Sequence, residues 1–337
     1  MTRLPIAATL ALAAATSLAC EKTGAYGDMD SIIVATSPDL WAEVQDSIYA
    51  ALEPRVFTVR QERTFQVTFQ DPFNTDWRNL REFKQELLIG RSTDPWMAPA
   101  LEQVKAAELS PPQVIQTYNV WARGQNVTML LLTPDGGAEE VFSLLDELHE
   151  LYDSQFRQFT RNRMFITGRD SALADTLIQE AGFSLIVPQV YFWDRQDSVF
   201  IFRNDNPDPS ELIRQVAVTW RSPDTGDLTQ EELLAWREHV AAAYYGIPQE
   251  TNLQHVAEIR GTQSGRDVFQ VQAVWENPPD YEWPAAGPFL TRTVACPEVA
   301  RTYLLDAWLY APGRSKYEYM IQLETILDSF ECGVTED

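Results

Sequence analysis

Three histidines and three cysteines in 337 residues leave little material for metal or nucleophile chemistry. His149, His239 and His255 are scattered, and none sits in a His-Glu-x-x-His zinc pattern. Each has a plain structural reading: an exposed helix face, a helix position beside Glu238, and a strand start. A Gly-x-Ser-x-Gly elbow is missing too. In Gly261-Thr-Gln-Ser264-Gly265 the serine stands one place late, and the stretch reads as a hairpin turn. Phosphate loops and dinucleotide fingerprints are likewise lacking. Asp205-Asn206-Pro207-Asp208 offers oxygens, but Pro207 occupies a place where a calcium loop needs a ligand, so a turn closing a strand is the better reading. No cofactor, metal site or catalytic residue is expected.

Basic residues are also scarce. Lys and Arg number 26 against 49 Asp and Glu, a formal net charge of −23. Such a surface repels nucleic acid and anionic headgroups, so nucleic acid is not an expected partner. The acids are spread without long runs, which fits solubility better than a dedicated acidic face. Beyond residue 19 no apolar run approaches the ~20 residues of a spanning helix.

The N-terminus supplies what the rest withholds. Arg3, the apolar run Leu4 to Leu12 and small residues up to Cys20 read as a targeting segment. Residues 1–19 are expected to be a lipoprotein signal peptide, Cys20 the lipidated residue and 20–30 a tether. Ser17 stands where a lipobox prefers leucine, and Ser17-Leu18-Ala19 also suits ordinary signal peptidase, so plain secretion is the alternative. The lack of a polar segment before Cys20 favours lipidation. A diacylated cysteine gives a stable anchor.

The 10 Trp, 12 Tyr and 16 Phe exclude wholesale disorder, and the length implies two domains or packed halves. Strands are expected at Ile32 to Ala35, Phe65 to Phe69 and Phe83 to Ile89, with a hairpin of Val114 to Ala122 and Val127 to Leu132. Thr133-Pro134-Asp135-Gly136 leads into a long amphipathic helix carrying Leu148, Tyr152, Phe156 and Phe159. The next stretch repeats this order, with a short strand at Met164 to Thr167, a helix at Ser171 to Ala181 and strands at Leu185 to Trp193, Val199 to Phe202 and Arg214 to Trp220. Thr229-Gln-Glu-Glu232 is a capping box for a helix ending near Gly246. Strands at Val256 to Arg260 and Val268 to Trp275 precede a terminal hairpin, a Pro-Gly turn and a last helix. The fold class is α+β, with amphipathic helices packed on largely antiparallel sheets. The two halves, 31–163 and 164–333, read as a weak internal duplication or as chance similarity of α+β segments.

Cys296 in the hairpin turn and Cys332 after the last helix are expected to pair. A strand of nine or ten residues rises about 30 Å and a 17-residue helix returns about 26 Å, so their ends meet. An oxidising envelope permits the bond; two buried thiols are the alternative. Two aromatic loops are candidates for partner binding: Trp275, Tyr281 and Trp283 among prolines, and Phe73 and Trp77 among acids. Loops folded back on the core explain them as readily.

Gly287-Pro288-Phe289, Asp306-Ala-Trp-Leu-Tyr310-Ala311-Pro312-Gly313, Lys316, Leu323-Glu324 and Ile326-Leu327, together with Phe200-Ile-Phe-Arg203-Asn-Asp-Asn-Pro207, resemble the bacterial lipoprotein family called domain of unknown function 4837. The resemblance extends over most of the chain after the signal, with its sharp motifs in the second half. It implies a lipoprotein of the Gram-negative envelope and carries no catalytic or ligand residues. Cys296 and Cys332 are outside its pattern. Glu21 after the cysteine is not the aspartate of inner-membrane retention, which favours the outer membrane. The expected function is a non-catalytic, membrane-anchored lipoprotein binding another envelope protein or component. The alternatives are a carboxylate-based hydrolase and a small-molecule or sugar binder.

Overall fold

The computed structural model describes residues 22–333 apart from 57, 106, 108 and 224–227; the signal segment and Cys20 lie outside the described residues. In chain order the elements are β1 (Ser31–Ala35), α1 (Pro38–Leu52), β2 (Arg55–Val56), β3 (Glu62–Arg63), β4 (Gln66–Gln70), α2 (Trp77–Leu80), β5 (Gln85–Arg91), α3 (Ala98–Leu101), β6 (Gln113–Tyr118), β7 (Asn126–Leu132), α4 (Ala138–Ser143) and α5 (Leu145–Met164). They continue with α6 (Ser171–Ala181), β8 (Phe183–Ser184), β9 (Phe192–Gln196), β10 (Val199–Asn204), β11 (Ile213–Arg221), α7 (Gln230–Tyr244), β12 (Glu250–Gln263), β13 (Arg266–Glu276), β14 (Ala286–Cys296), β15 (Arg301–Tyr310), α8 (Tyr317–Asp328) and β16 (Glu331–Cys332).

Local chemistry sets the helix starts. Ser37 accepts the Leu40 amide ahead of α1, whose first residue is Pro38. Asp170 accepts the Leu173 amide at 3.0 Å to open α6, and Gly182 closes it at φ 70°, a left-handed conformation that favours glycine. Thr229 and Glu232 form the expected capping box of α7.

The described residues fall into two compact units, one within Met1–Trp41 and Thr68–Glu140, the other within Ala42–Val67 and Val141–Asp337. This differs from a division at 163/164. Residues of 42–67 join the larger unit because Phe65 packs on Tyr152 and Phe156, with ring centroids 6.0 and 5.7 Å away, and Glu62 holds the Lys316 ammonium at 2.7 Å. Those contacts span up to 254 residues of sequence and have no local signature.

The smaller unit carries a five-stranded sheet of order β4-β1-β5-β7-β6. Its centre is parallel, with β5 between β1 and β7, while β6 returns antiparallel. The run Val127 to Leu132, apolar but for Thr128, is buried along its whole length, as an interior strand covered on both faces should be.

The larger unit is a seven-stranded antiparallel sheet of order β12-β13-β14-β15-β11-β10-β9. Period-two alternation along β15 divides its side chains: Tyr303, Leu305, Ala307 and Leu309 meet the core containing Leu177 of α6 and Leu323 and Ile326 of α8. Leu304 and Trp308 meet the other core, with Leu233 and Val240 of α7. The molecule is thus α+β with mostly antiparallel sheets. The two sheets differ in strand order and direction, so what the halves share is a local ending of hairpin, proline-containing turn and helix.

Of two expected strands one is absent from the described elements and the other is mostly irregular. Met164 ends α5 and Phe165 to Thr167 form a turn; of Leu185 to Trp193 only Phe192 and Trp193 lie in a strand. Leu185 and Val187 are instead buried in irregular chain, so their apolar character reports core placement without a ladder. The long helix after Gly136 is interrupted at Leu144. Ser264 and Gly265, at φ 50° and 76°, make the expected tight turn between β12 and β13. Cys296 and Cys332 are disulfide-bonded, with Cα atoms 5.8 Å apart, where β16 pairs with β8.

Candidate functional site

At one end of the seven-stranded sheet, β10, β13 and β15 finish and β11, β12 and β14 begin. The connections there enclose a groove of about 360 Å³. The β10–β11 loop supplies Pro209 and Ser210, the α7–β12 connection supplies Ile247, and the β13–β14 loop supplies Tyr281, Glu282 and Trp283. Ile213 and Tyr310, paired across β11 and β15, also line it.

Asn277 holds the aromatic loop in place. Its amide donates to the Ala285 carbonyl at 2.9 Å, its side-chain oxygen accepts from the Ala285 amide at 2.9 Å, and its side-chain nitrogen donates to the Pro248 carbonyl at 2.6 Å. The loop is closed at its base and tied to the α7–β12 connection. Prolines at 278, 279 and 284 restrict the backbone between, so Trp283 stays 62% exposed without a floppy support. Arg203 on the rim is paired with Asp205 at 3.2 Å, and Glu282 contributes one carboxylate.

The sequence-derived aromatic candidates separate clearly. Tyr281 and Trp283 come together in the groove. Trp275 is fully buried, its indole N–H donating to the Leu309 carbonyl at 3.1 Å and its ring 6.4 Å from Tyr310, so it supports the groove from the core and offers no surface to a partner. Gly287 faces the same carbonyl; a Cβ there would lie 1.8 Å from it. In the smaller unit Trp77 is buried edge-on to Trp121 and is likewise a core residue, while Phe73 is 68% exposed with its ring against Trp96. Trp77 turns inward because it opens α2, whose one buried position it occupies.

On the α7 side of the sheet lies a charged group that sequence reasoning did not single out. Arg237 of α7 and Asp306 of β15 are both fully buried, with Nε and Oδ1 3.3 Å apart. Tyr245 donates its hydroxyl to the other Asp306 oxygen at 2.6 Å, Arg237 also donates to Gln249, and its guanidinium lies 4.0 Å from the Phe289 ring centroid. Burial pushes the Asp306 carboxyl up, with Arg237 pulling it partly back; burial and the neighbouring carboxylate hold the Tyr245 hydroxyl well above its ordinary value. This network fixes the end of α7, and hence the connection that presents Ile247, against the sheet. Arg237 follows Leu233 by four and precedes Val240 by three, so a charged residue on an apolar helix face was the available signal.

The arrangement offers an aromatic, mostly apolar surface with a few polar groups at its edge, which is the chemistry of recognition. Among the described residues no helix is long and apolar enough to cross a membrane. No curated protein matches the sequence. Solved structures show faint likeness only. The Ran-binding protein Mog1p of Saccharomyces cerevisiae has 11% identity, TM-score 0.32 and coverage of 46% of this chain and 92% of its own. Cyanobacterial PsbP (CyanoP) of Synechocystis sp. PCC 6803 has 13% identity, TM-score 0.30 and coverage of 45% and 86%. LpqN of Mycobacterium tuberculosis, involved in cell envelope biogenesis, has 13% identity, TM-score 0.27 and coverage of 43% and 79%. Likeness at this level assigns no function. The family model is more specific and narrower than the resemblance over most of the chain: it matches residues 170–329, the stretch that supplies every wall of the groove. Over these residues the chain matches the family described as Domain of unknown function (DUF4837).

Proposed function

We propose that the protein is a non-catalytic binding lipoprotein of the Gram-negative envelope, held at the membrane through diacylated Cys20, with the outer membrane as its site. Its sheet-end groove receives an apolar or aromatic side chain of an envelope partner protein. The observation that carries this reading is Trp283, exposed at the tip of a loop pinned by Asn277 over an apolar groove. A rigid aromatic is a low-entropy anchor for a partner. The groove volume lies at the lower end for small-ligand pockets, which suits one inserted side chain.

The test places a photo-crosslinking amino acid at position 283 in cells, with position 73 as an exposed control on the other unit. A discrete product from 283, absent from 73 and lost with Tyr281→Ala, supports the groove as the docking site. Equal products from both positions, or none from 283, overturn it; a glycan captured in place of protein transfers the site to sugar binding. Labelling with alkyne-palmitate tests the tether separately: label in the wild type and none in Cys20→Ser is expected. An unlabelled wild type with a mature N-terminus after Ala19 means ordinary secretion.

A further inference from the structure

The β10–β11 loop has a second depression on its other side, of about 400 Å³, toward the face covered by α8. Three arginines line it: Arg163 from the end of α5, Arg214 from β11 and Arg314 from the turn before α8. In a chain with a net charge of −23, three cations around one hollow call for a local reason.

Two of them are compensated. Arg163 faces Glu318 at 3.5 Å and Arg314 holds Glu211 at 2.7 Å. Arg214 is different. One of its Nη atoms donates to the Gln322 side-chain oxygen at 3.0 Å and the other to the Asn206 carbonyl at 3.1 Å, both neutral acceptors. Its Nε is buried with no hydrogen-bond partner, and among the described residues no carboxylate pairs with it. Close by, the Tyr191 hydroxyl is fully buried and also unpartnered; burial pushes its pKa up to about 12 while the Arg214 charge draws it down. A half-buried guanidinium with neutral partners is an uncompensated charge that an anion would complete.

Asn204, Asn206, Gln322 and the Arg163-paired Glu318 add polar groups to the lining, and one stretch of wall is apolar. Met164, Leu212, Pro207 and Val190 line it, and Ile166 at its margin is 83% exposed. A lone inorganic ion would leave these walls wet. The overall negative charge disfavours polyanions, so the complement is a molecule with one charged head and an apolar body.

We infer that this depression binds a small amphiphilic anion, an organic carboxylate or phosphate monoester, with its head on Arg214 between Arg163 and Arg314 and its body on Met164, Leu212 and Val190. The site lies on the opposite side of the loop from the aromatic groove and does not depend on it.

Calorimetric titration of the full protein with octanoate and with octyl phosphate tests this, with octanol and inorganic phosphate as controls. Saturable binding tighter than about 1 mM is expected for at least one of the two amphiphiles, and which one names the head group. Arg214→Gln, checked for its native near-UV spectrum, is expected to weaken that binding at least tenfold. Arg163→Gln and Arg314→Gln lie on the exposed rim and are expected to weaken it about threefold each; they carry the test if Arg214→Gln does not fold. Absence of binding by both amphiphiles overturns the proposal. So does octanol binding as tightly as octanoate, inorganic phosphate binding as tightly as octyl phosphate, or wild-type affinity in the folded arginine variants.

Discussion

The two units solve the same burial problem differently. The smaller one centres on parallel strands and buries Glu86 of β5, whose carboxyl burial pushes well up while a backbone hydrogen bond at Phe83 draws it partly back. The larger one also buries charge, in a network that crosses elements: Arg237 of α7 and the Tyr245 hydroxyl both reach Asp306 of β15. It adds a disulfide, a helix layer on each face and a groove at its end. The contrast teaches that a buried ionisable residue is not by itself a site. Its meaning depends on whether its partners cross between elements and what they hold in place.

The comparison breaks most severely at Trp275. Trp275→Ala removes a fully buried indole and the hydrogen bond to Leu309, and is expected to cost about 3 to 5 kcal/mol in urea denaturation. Trp283→Ala, eight residues along, should stay within about 0.5 kcal/mol while losing the partner crosslink. Similar stability losses in both would mean that the loop is part of the core.

Cutting the disulfide tests the larger unit alone. The bond closes a separation of 36 residues, and Cys296→Ser with Cys332→Ser is expected to cost about 3 to 4 kcal/mol in the chain-entropy model. Hydrogen exchange should speed up in β14, β15 and α8 and stay unchanged in β1, β5 and β7. Equal acceleration in both sheets would show that the units unfold as one.

The smallest effect sharpens the smaller unit. Because the folded protein raises the Glu86 pKa, the protonated form is favoured on folding; this stabilisation is complete below the ordinary value of 4.5 and is lost as pH rises through the folded value. Glu86→Gln should therefore raise stability by about 1 kcal/mol at pH 8 and flatten the decline in melting temperature from acid to alkaline pH. An unchanged pH profile would mean that Glu86 does not control it.

The capping box made α7 legible, because Thr229 and Glu232 satisfy each other's amides within four residues and a local pattern suffices; Ser37 and Asp170 act over the same short range at α1 and α6. The hairpin turns at Ser264-Gly265 and Cys296-Pro297 were legible for the same reason. Parallel pairing in the smaller unit was not, because its partners are brought together by crossovers and no local pattern records strand direction. In the site, Tyr281 and Trp283 were visible as aromatics among prolines. Trp275 and Trp77 carried the same residue signature, yet only packing decides which indole turns inward. The arginines of the second hollow come from 163, 214 and 314, and no motif spans that distance.

By itself the sequence determined the α+β class, the capping box of α7, the cysteine pairing and the acidic surface, since each follows from composition or from chemistry of the local chain. The lipobox reading of Cys20 belongs to that level as an expectation. The tertiary structure decided the unit boundaries, the Arg237–Asp306 pair and the meeting of Arg203 to Pro207, Gly287 and Tyr310 at one sheet end. Those depend on strand order and register, which place distant residues side by side and which hydrophobic periodicity alone does not specify.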